Sequence, residues 1–252
     1  SERLAKGGAK VYLVARTMEK LEKARDKITK IGGKAAIYPA SITDFDEIKK
    51  VIDDVYKKES RLDIFVNNAG AYKPVSFKDK DAIDKFRHLA ELDFLAPSLI
   101  TLYLVQKFGN TNNTLKVLTV SSQAALKLFE NGVGYGTAKI GLSAFLFEAE
   151  HQLNTEGIKN IKLYRLYPGT VATEAMMPLI KEGILQNPTT LDSVVDAASD
   201  LLLDKTMSRD LEIKYVPGEG IKRIYLEYAT DKFRLLPVVR EEVVDMNFDP
   251  SI

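Results

Sequence analysis

A serine, a tyrosine and a lysine stand in this sequence at spacings that could move a proton to or from a carbonyl oxygen. Ser121-Ser122 is followed, thirteen residues after Ser122, by Tyr135-Gly136-Thr137-Ala138-Lys139. Residues at i and i+4 share one face of a helix, so the Lys139 ammonium can sit beneath the Tyr135 phenol. A neighbouring cation favours the phenolate, and a tyrosine tuned this way exchanges a proton with an alcohol or carbonyl oxygen near neutral pH. The Ser122 hydroxyl, arriving from a strand end, could bond the same oxygen. Alone, the tyrosine–lysine spacing decides little, because a half-buried tyrosine beside a solvated lysine is an ordinary helix surface.

The elements around these residues change the odds. Arg61–Val66 is a short apolar strand that runs into Asn67-Asn68-Ala69-Gly70. Leu115–Val120 is a second, ending at Ser121-Ser122, and Ile161–Tyr167 a third, ending in Pro168-Gly169-Thr170-Val171-Ala172-Thr173. All three polar motifs therefore fall at strand C-termini, the edge at which open α/β sheets bind ligands. The rest of the chain alternates in the same way. Strands are expected at Lys10–Ala15, Ala35–Pro39 and Leu211–Val216, with helices at Met18–Ile31, Asp44–Lys58, about Asp79 to Phe108, from Tyr135 and near Leu191–Leu203. Such alternation predicts a Rossmann-like, doubly wound parallel sheet in one domain.

Composition narrows the function classes. At 252 residues the chain is long enough to bury a substantial core. The formal net charge is +1 with both signs mixed along the chain, so no basic tract points to nucleic acid. Cysteine is absent, which excludes disulfides, thiolate metal sites and a cysteine nucleophile. His88 and His151 are the only histidines, both in polar surroundings that suggest surface placement, and no metal site is expected. No apolar run reads as approaching the ~20 residues that span a membrane, so a soluble cytoplasmic enzyme is expected.

With these motifs in this order and spacing, the chain resembles the short-chain dehydrogenase/reductase family from Ser1 to about Gly218. The resemblance implies Tyr135 as general acid/base, Lys139 as its modulator and a ligand of the nicotinamide ribose, and Ser122 as the anchor for the substrate oxygen. It implies that Asn68, Ala69 and Gly70, with Asn67, line the adenosine side of a cofactor groove. Pro168, Gly169, Val171 and Thr173 would border the nicotinamide. The substrate would be a small-molecule carbonyl or secondary alcohol, and the protein a homodimer or homotetramer. The alternative is a non-catalytic dinucleotide sensor or scaffold on the same fold.

The cofactor preference is argued from Val14-Ala15-Arg16-Thr17. An acidic residue at this strand end would bond the ribose 2′-hydroxyl of NAD; here a guanidinium stands instead, so NADP is favoured with NAD as second choice. Two positions depart from the family pattern. Ser41, ahead of Ile42 in the adenine region, replaces the usual aspartate. Asp93 replaces an asparagine that helps to hold a water leading to the active-site lysine. An aspartate there loses the amide donor and adds a charge near Lys139.

Three further expectations concern the flanks. Ser1–Lys6 reads as the end of a helix stopped by Gly7-Gly8, and Gly32-Gly33 likewise follows a helix, so neither pair is a phosphate-binding turn. The family's first strand and Gly-rich turn are thus expected to precede Ser1, over roughly twenty residues, and without that strand two neighbours should be unpaired. Met176, Met177, Leu179, Ile180, Ile184 and Leu185 make an apolar segment after Thr173, suited to a substrate lid, with Tyr72, Phe129 and Val133 as other candidates to approach the pocket. In a C-terminal extension over 219–252, Ile221, Ile224, Tyr225 and Tyr228 predict an amphipathic helix, and Phe233–Val239 continues the apolar character.

Overall fold

The computed structural model describes residues 1–174, 176–183, 187–206, 208–227 and 238–245, with Glu227 and the last segment as backbone alone. A short helix α1 (Glu2–Lys6) leads to β1 (Lys10–Ala15), α2 (Met18–Lys30), β2 (Lys34–Pro39) and α3 (Phe45–Glu59). Gly8 (φ +89°) and Gly32 (φ +80°) turn the chain from helix to strand in a left-handed conformation that a Cβ would disfavour. Asp44 caps α3 by accepting from the Glu47 N–H at 3.0 Å, and the Glu47 carboxylate accepts from the Ser41 N–H at 2.8 Å.

Next come β3 (Ile64–Asn67), α4 (Ala82–Ala90), a π-helical turn (Glu91–Leu95) and α5 (Ala96–Phe108). They are followed by β4 (Leu115–Val120), a 3₁₀ turn (Gln123–Ala125), α6 (Tyr135–Thr155), β5 (Ile161–Pro168), α7 (Met177–Lys181) and α8 (Leu191–Leu202). Strands β6 (Asp210–Val216), β7 (Gly220–Glu227) and β8 (Val238–Asp245) complete the series.

Strands β3, β4, β5 and β6 pair in parallel, and β7 and β8 add to β6 as antiparallel edges. Strand β1 pairs in parallel with β2 in a separate two-stranded sheet. Among the described residues each of β1 and β3 therefore has one unpaired edge. Helices α3, α5 and α6 cover one face of the sheet through Ile48, Ile52, Ile100, Leu104, Leu142 and Leu146, packed on Val117 and Leu163. Helix α8 covers the other through Ala197 and Leu201, on Leu118, Leu211 and Ile213. Each such side chain contributes about 1.5–3 kcal/mol by leaving water.

Two expectations need correction. Residues 220–227 form strand β7, not an amphipathic helix. Ile221 and Tyr225 enter the core with α8, whereas Ile224 and Leu226 join Tyr167 in another cluster, the period of two expected of a strand covered on both faces. Tyr228 and residues 233–237 lie outside the described residues. The run Ala82–Phe108 is also, at 27 residues, long and apolar enough by composition to cross a membrane. Here it is half-buried in the body, packing Leu89, Ile100, Leu104 and Phe108 inward and burying Asp93.

A charged cluster is buried beneath β5. Arg165 bonds Asp210 on neighbouring β6 (Nη2 to Oδ2, 2.7 Å) and the α6 residues Glu150 and, through Nη1, the Leu146 carbonyl (3.1 Å). The Phe147 ring lies 4.1 Å from the guanidinium carbon. Burial raises the Asp210 carboxyl above its usual range, while Arg165 pulls it back.

Candidate active site

Ser122 follows β4 and caps the 3₁₀ turn, its Oγ accepting from the Ala124 N–H at 3.1 Å. Tyr135 is the first residue of α6 and Lys139 lies one turn along it. Nζ of Lys139 is 5.5 Å from the centre of the Tyr135 ring. Lys139 is 4% exposed, so its ammonium needs a partner.

That partner is Asp93. Lys139 Nζ and Asp93 Oδ1 are 3.1 Å apart, and Asp93 has no exposed surface. Asp93 sits on the π-helical turn inserted between α4 and α5, an irregularity common at functional sites. Its two oxygens also accept from the Ala71 N–H, each at 3.3 Å. Burial pushes the Asp93 carboxyl above its ordinary range, while the Lys139 ammonium and the Ala71 N–H pull it back. The loop after β3 must approach bare: a Cβ on Gly70 would stand 2.5 Å from Asp93 Oδ1.

At the end of β5, the Gly169 N–H donates to the Ile213 carbonyl at 2.8 Å and the Thr173 N–H to the Val171 carbonyl at 2.8 Å. A Cβ on Gly169 would meet Gln123 Oε1 at 2.9 Å. Gln123, next to Ser122, donates from Nε2 to Glu212 on β6 at 2.6 Å. The turn that carries Ser122 is thereby braced against the Pro168-Gly169 turn and β6.

Of the remaining sequence candidates, Gly70 closes on Asp93 and Lys139, whereas Arg16, Ser41 and Ile42 follow the strands of the separate two-stranded sheet. Arg16 is exposed after β1 and makes no hydrogen bond or ion pair with the described residues. Ser41 Oγ is 2.9 Å from Thr43 Oγ1 after β2, and Ile42 packs on the core. Asn68, Ala69 and Gly70 are exposed after β3. Two buried hydroxyls, Thr119 Oγ1 near the end of β4 and Thr189 Oγ1 on the segment bridged to Val171, have no partner among the described residues. The free guanidinium after β1 and the bare, exposed backbone after β3 fit a polar nucleotide at strand C-termini. His88 and His151 are exposed. Of the apolar segment after Thr173, Met177, Leu179 and Ile180 lie on α7, whereas Ile184 and Leu185 fall outside the described residues.

Residues 1–183 match the sequence profile of the short chain dehydrogenase family. The chain belongs to that family. Among curated relatives of this short-chain dehydrogenase, 11-beta-hydroxysteroid dehydrogenase-like 2 of Arabidopsis thaliana is 29% identical, over 81% of this chain and 61% of that protein. Trans-4-hydroxycyclohexanecarboxylate dehydrogenase of Sinomonas cyclohexanicum is 28% identical over 69% of this chain and 65% of its own length. The chain thus spans about three fifths of these relatives. A solved 7 alpha-hydroxysteroid dehydrogenase, complexed with NADH and 7-oxo glycochenodeoxycholic acid, shares the fold with a TM-score of 0.73. It covers 86% of each chain at 24% identity.

Sequence reasoning missed the direct contact between Asp93 and Lys139, having placed a water between them. It also missed the Gln123–Glu212 brace, for which the sequence offered only a carboxylate at 212 between the apolar Leu211 and Ile213.

Proposed function

We propose that this chain is an oxidoreductase that uses NADP, or NAD less well, to interconvert a carbonyl and a secondary alcohol on an apolar small molecule. The observation that carries this reading is the Tyr135–Lys139 pair, with the ammonium 5.5 Å from the ring centre and the whole assembly at the ligand-binding edge of the sheet. When bound, the cofactor would supply the hydride. Tyr135 gives a proton to the carbonyl oxygen during reduction and takes one from the alcohol during oxidation. Ser122 Oγ holds that oxygen, and Lys139 stabilises the phenolate. Asn68, Ala69 and Gly70 hold the adenosine side, with Ser41 and Ile42 beside the adenine. Arg16 pairs with the 2′-phosphate, and Pro168, Gly169, Val171 and Thr173 border the nicotinamide.

The names of the relatives, a hydroxysteroid and a hydroxycyclohexanecarboxylate dehydrogenase, support alcohol–carbonyl chemistry. Exposed Ile83, Phe86, Leu95 and Leu102 along the Ala82–Phe108 run support a homodimer or homotetramer, which light scattering tests.

The alternative, a non-catalytic dinucleotide sensor, draws support from Asp93, which already engages the Lys139 ammonium. Tyr135→Phe decides between them. In the enzyme it should lower ketone reduction by ~10²-fold or more while leaving cofactor binding intact. Activity within threefold of the parent would remove Tyr135 from the mechanism, and a parent that binds NADP without turnover on any ketone would favour the sensor.

A further inference from the structure

Three aromatic rings meet at the mouth of the site. The Tyr72 ring is 5.5 Å from the Tyr135 ring and nearly perpendicular to it, at 88°. Phe129 lies 6.5 Å from Tyr135 at 71°, and Tyr72 and Phe129 are themselves 6.4 Å apart. The two edge-to-face contacts to Tyr135 each stabilise the arrangement by about 0.5–1.5 kcal/mol beyond area burial, while Tyr72 and Phe129 are tilted at 42° to each other.

The collar is held from behind. A Cβ on Gly132 would stand 2.9 Å from Phe129 Cε1, and one on Gly136 would stand 3.1 Å from the same atom, so the ring rests directly on backbone. The loops that carry Tyr72 and Phe129 are joined by a bridge between Val75 and Gly132, with the Val75 N–H donating to the Asn131 carbonyl at 3.0 Å. Val75 is 3% exposed and lies 2.8 Å from the place a Gly134 Cβ would take. Meanwhile the Tyr72 hydroxyl has no hydrogen-bond partner among the described residues; Tyr72 is placed by its ring contacts.

We propose that Tyr72 and Phe129 are specificity residues that select a carbonyl borne on a rigid, apolar ring over one on an open chain. This rests on Tyr135 acting on the substrate oxygen: the groups borne by the carbonyl carbon then come within reach of the rings that flank Tyr135. A preformed aromatic wall gains contact with a rigid ring at once. An open chain of equal carbon number loses rotor freedom to make the same contact. Because Phe129 rests on backbone and Tyr72 is held between the other two rings, the wall does not reshape itself around a flexible ligand.

The test compares 2-decalone, a fused-ring ketone, with 2-decanone, an open-chain ketone of the same carbon number. The ratio of kcat/KM for the two should fall at least tenfold in Phe129→Leu and in Tyr72→Leu, and stay within twofold in Tyr72→Phe, which keeps the ring. An unchanged ratio in both leucine variants, with thermal unfolding and NADP binding like the parent's, would overturn the proposal. So would a fall in Tyr72→Phe as large as in Tyr72→Leu. Saturation-transfer NMR on the parent and the same variants reads the contact without turnover. Tighter binding of decalone than decanone, lost in the leucine variants, supports the collar even if the proposed reaction fails; equal binding in the parent rejects it.

Discussion

Asp93 and Lys139 form a buried ion pair across 3.1 Å, between a π-helical turn and the N-terminal part of α6. Neither side chain exposes more than 5% of its surface. Both charges have left water, so their attraction mainly offsets desolvation, and removing one partner strands the other. The same ammonium lies beside the Tyr135 ring. Carboxylate and phenol therefore draw on one cation, and residue 93 can bias the proton chemistry without touching the substrate.

Asp93→Asn removes the negative charge and keeps an acceptor for Lys139. Lys139 then acts on the phenol alone, so the basic limb of alcohol oxidation should move to lower pH. Profiles of kcat/KM against pH for parent and variant, with one alcohol, give the answer. Superimposable curves would sink the idea that Asp93 acts on the proton path.

Gly70→Ala places a methyl 2.5 Å from Asp93 Oδ1 and should displace that carboxylate from Lys139. We expect kcat/KM to fall by ~10-fold or more, with little further loss when Asp93→Ala is added, because both changes break one contact. Losses that simply add would show that Gly70 acts elsewhere.

Arg16→Ala should weaken NADP binding by roughly 10- to 100-fold and leave NAD within threefold, since a charge-assisted bond contributes about 1.5–3 kcal/mol. Calorimetry with both cofactors measures this. Equal losses would count against a 2′-phosphate contact.

Arg165→Met should lower unfolding stability by about 3–5 kcal/mol, because Asp210 loses its buried counter-charge, while Glu150 keeps Arg209. Urea melts of parent and variant are the measurement. A loss under about 1 kcal/mol would mean that the cluster is weakly coupled to the fold.

What the sequence determined by itself was local. Short apolar runs such as Leu115–Val120 and Ile161–Tyr167 place strands with motifs at their C-terminal ends, and the parallel sheet follows. Tyr135 and Lys139 share a face because 3.6 residues make a helical turn, wherever that helix packs.

The tertiary structure decided what depends on distant neighbours. Ile221, Ile224 and Tyr225 satisfy a helical spacing, yet pairing with β6 makes the segment a strand, because alternate side chains then reach two separate cores. Asp93 and Lys139 are 46 residues apart in sequence, and Tyr72 and Phe129 are 57 apart. No local pattern encodes either pair. They meet because a π-helical turn, a bare glycine loop and a bridge between two loops converge at one sheet edge, and long-range contacts of that kind are fixed only when the chain closes on itself.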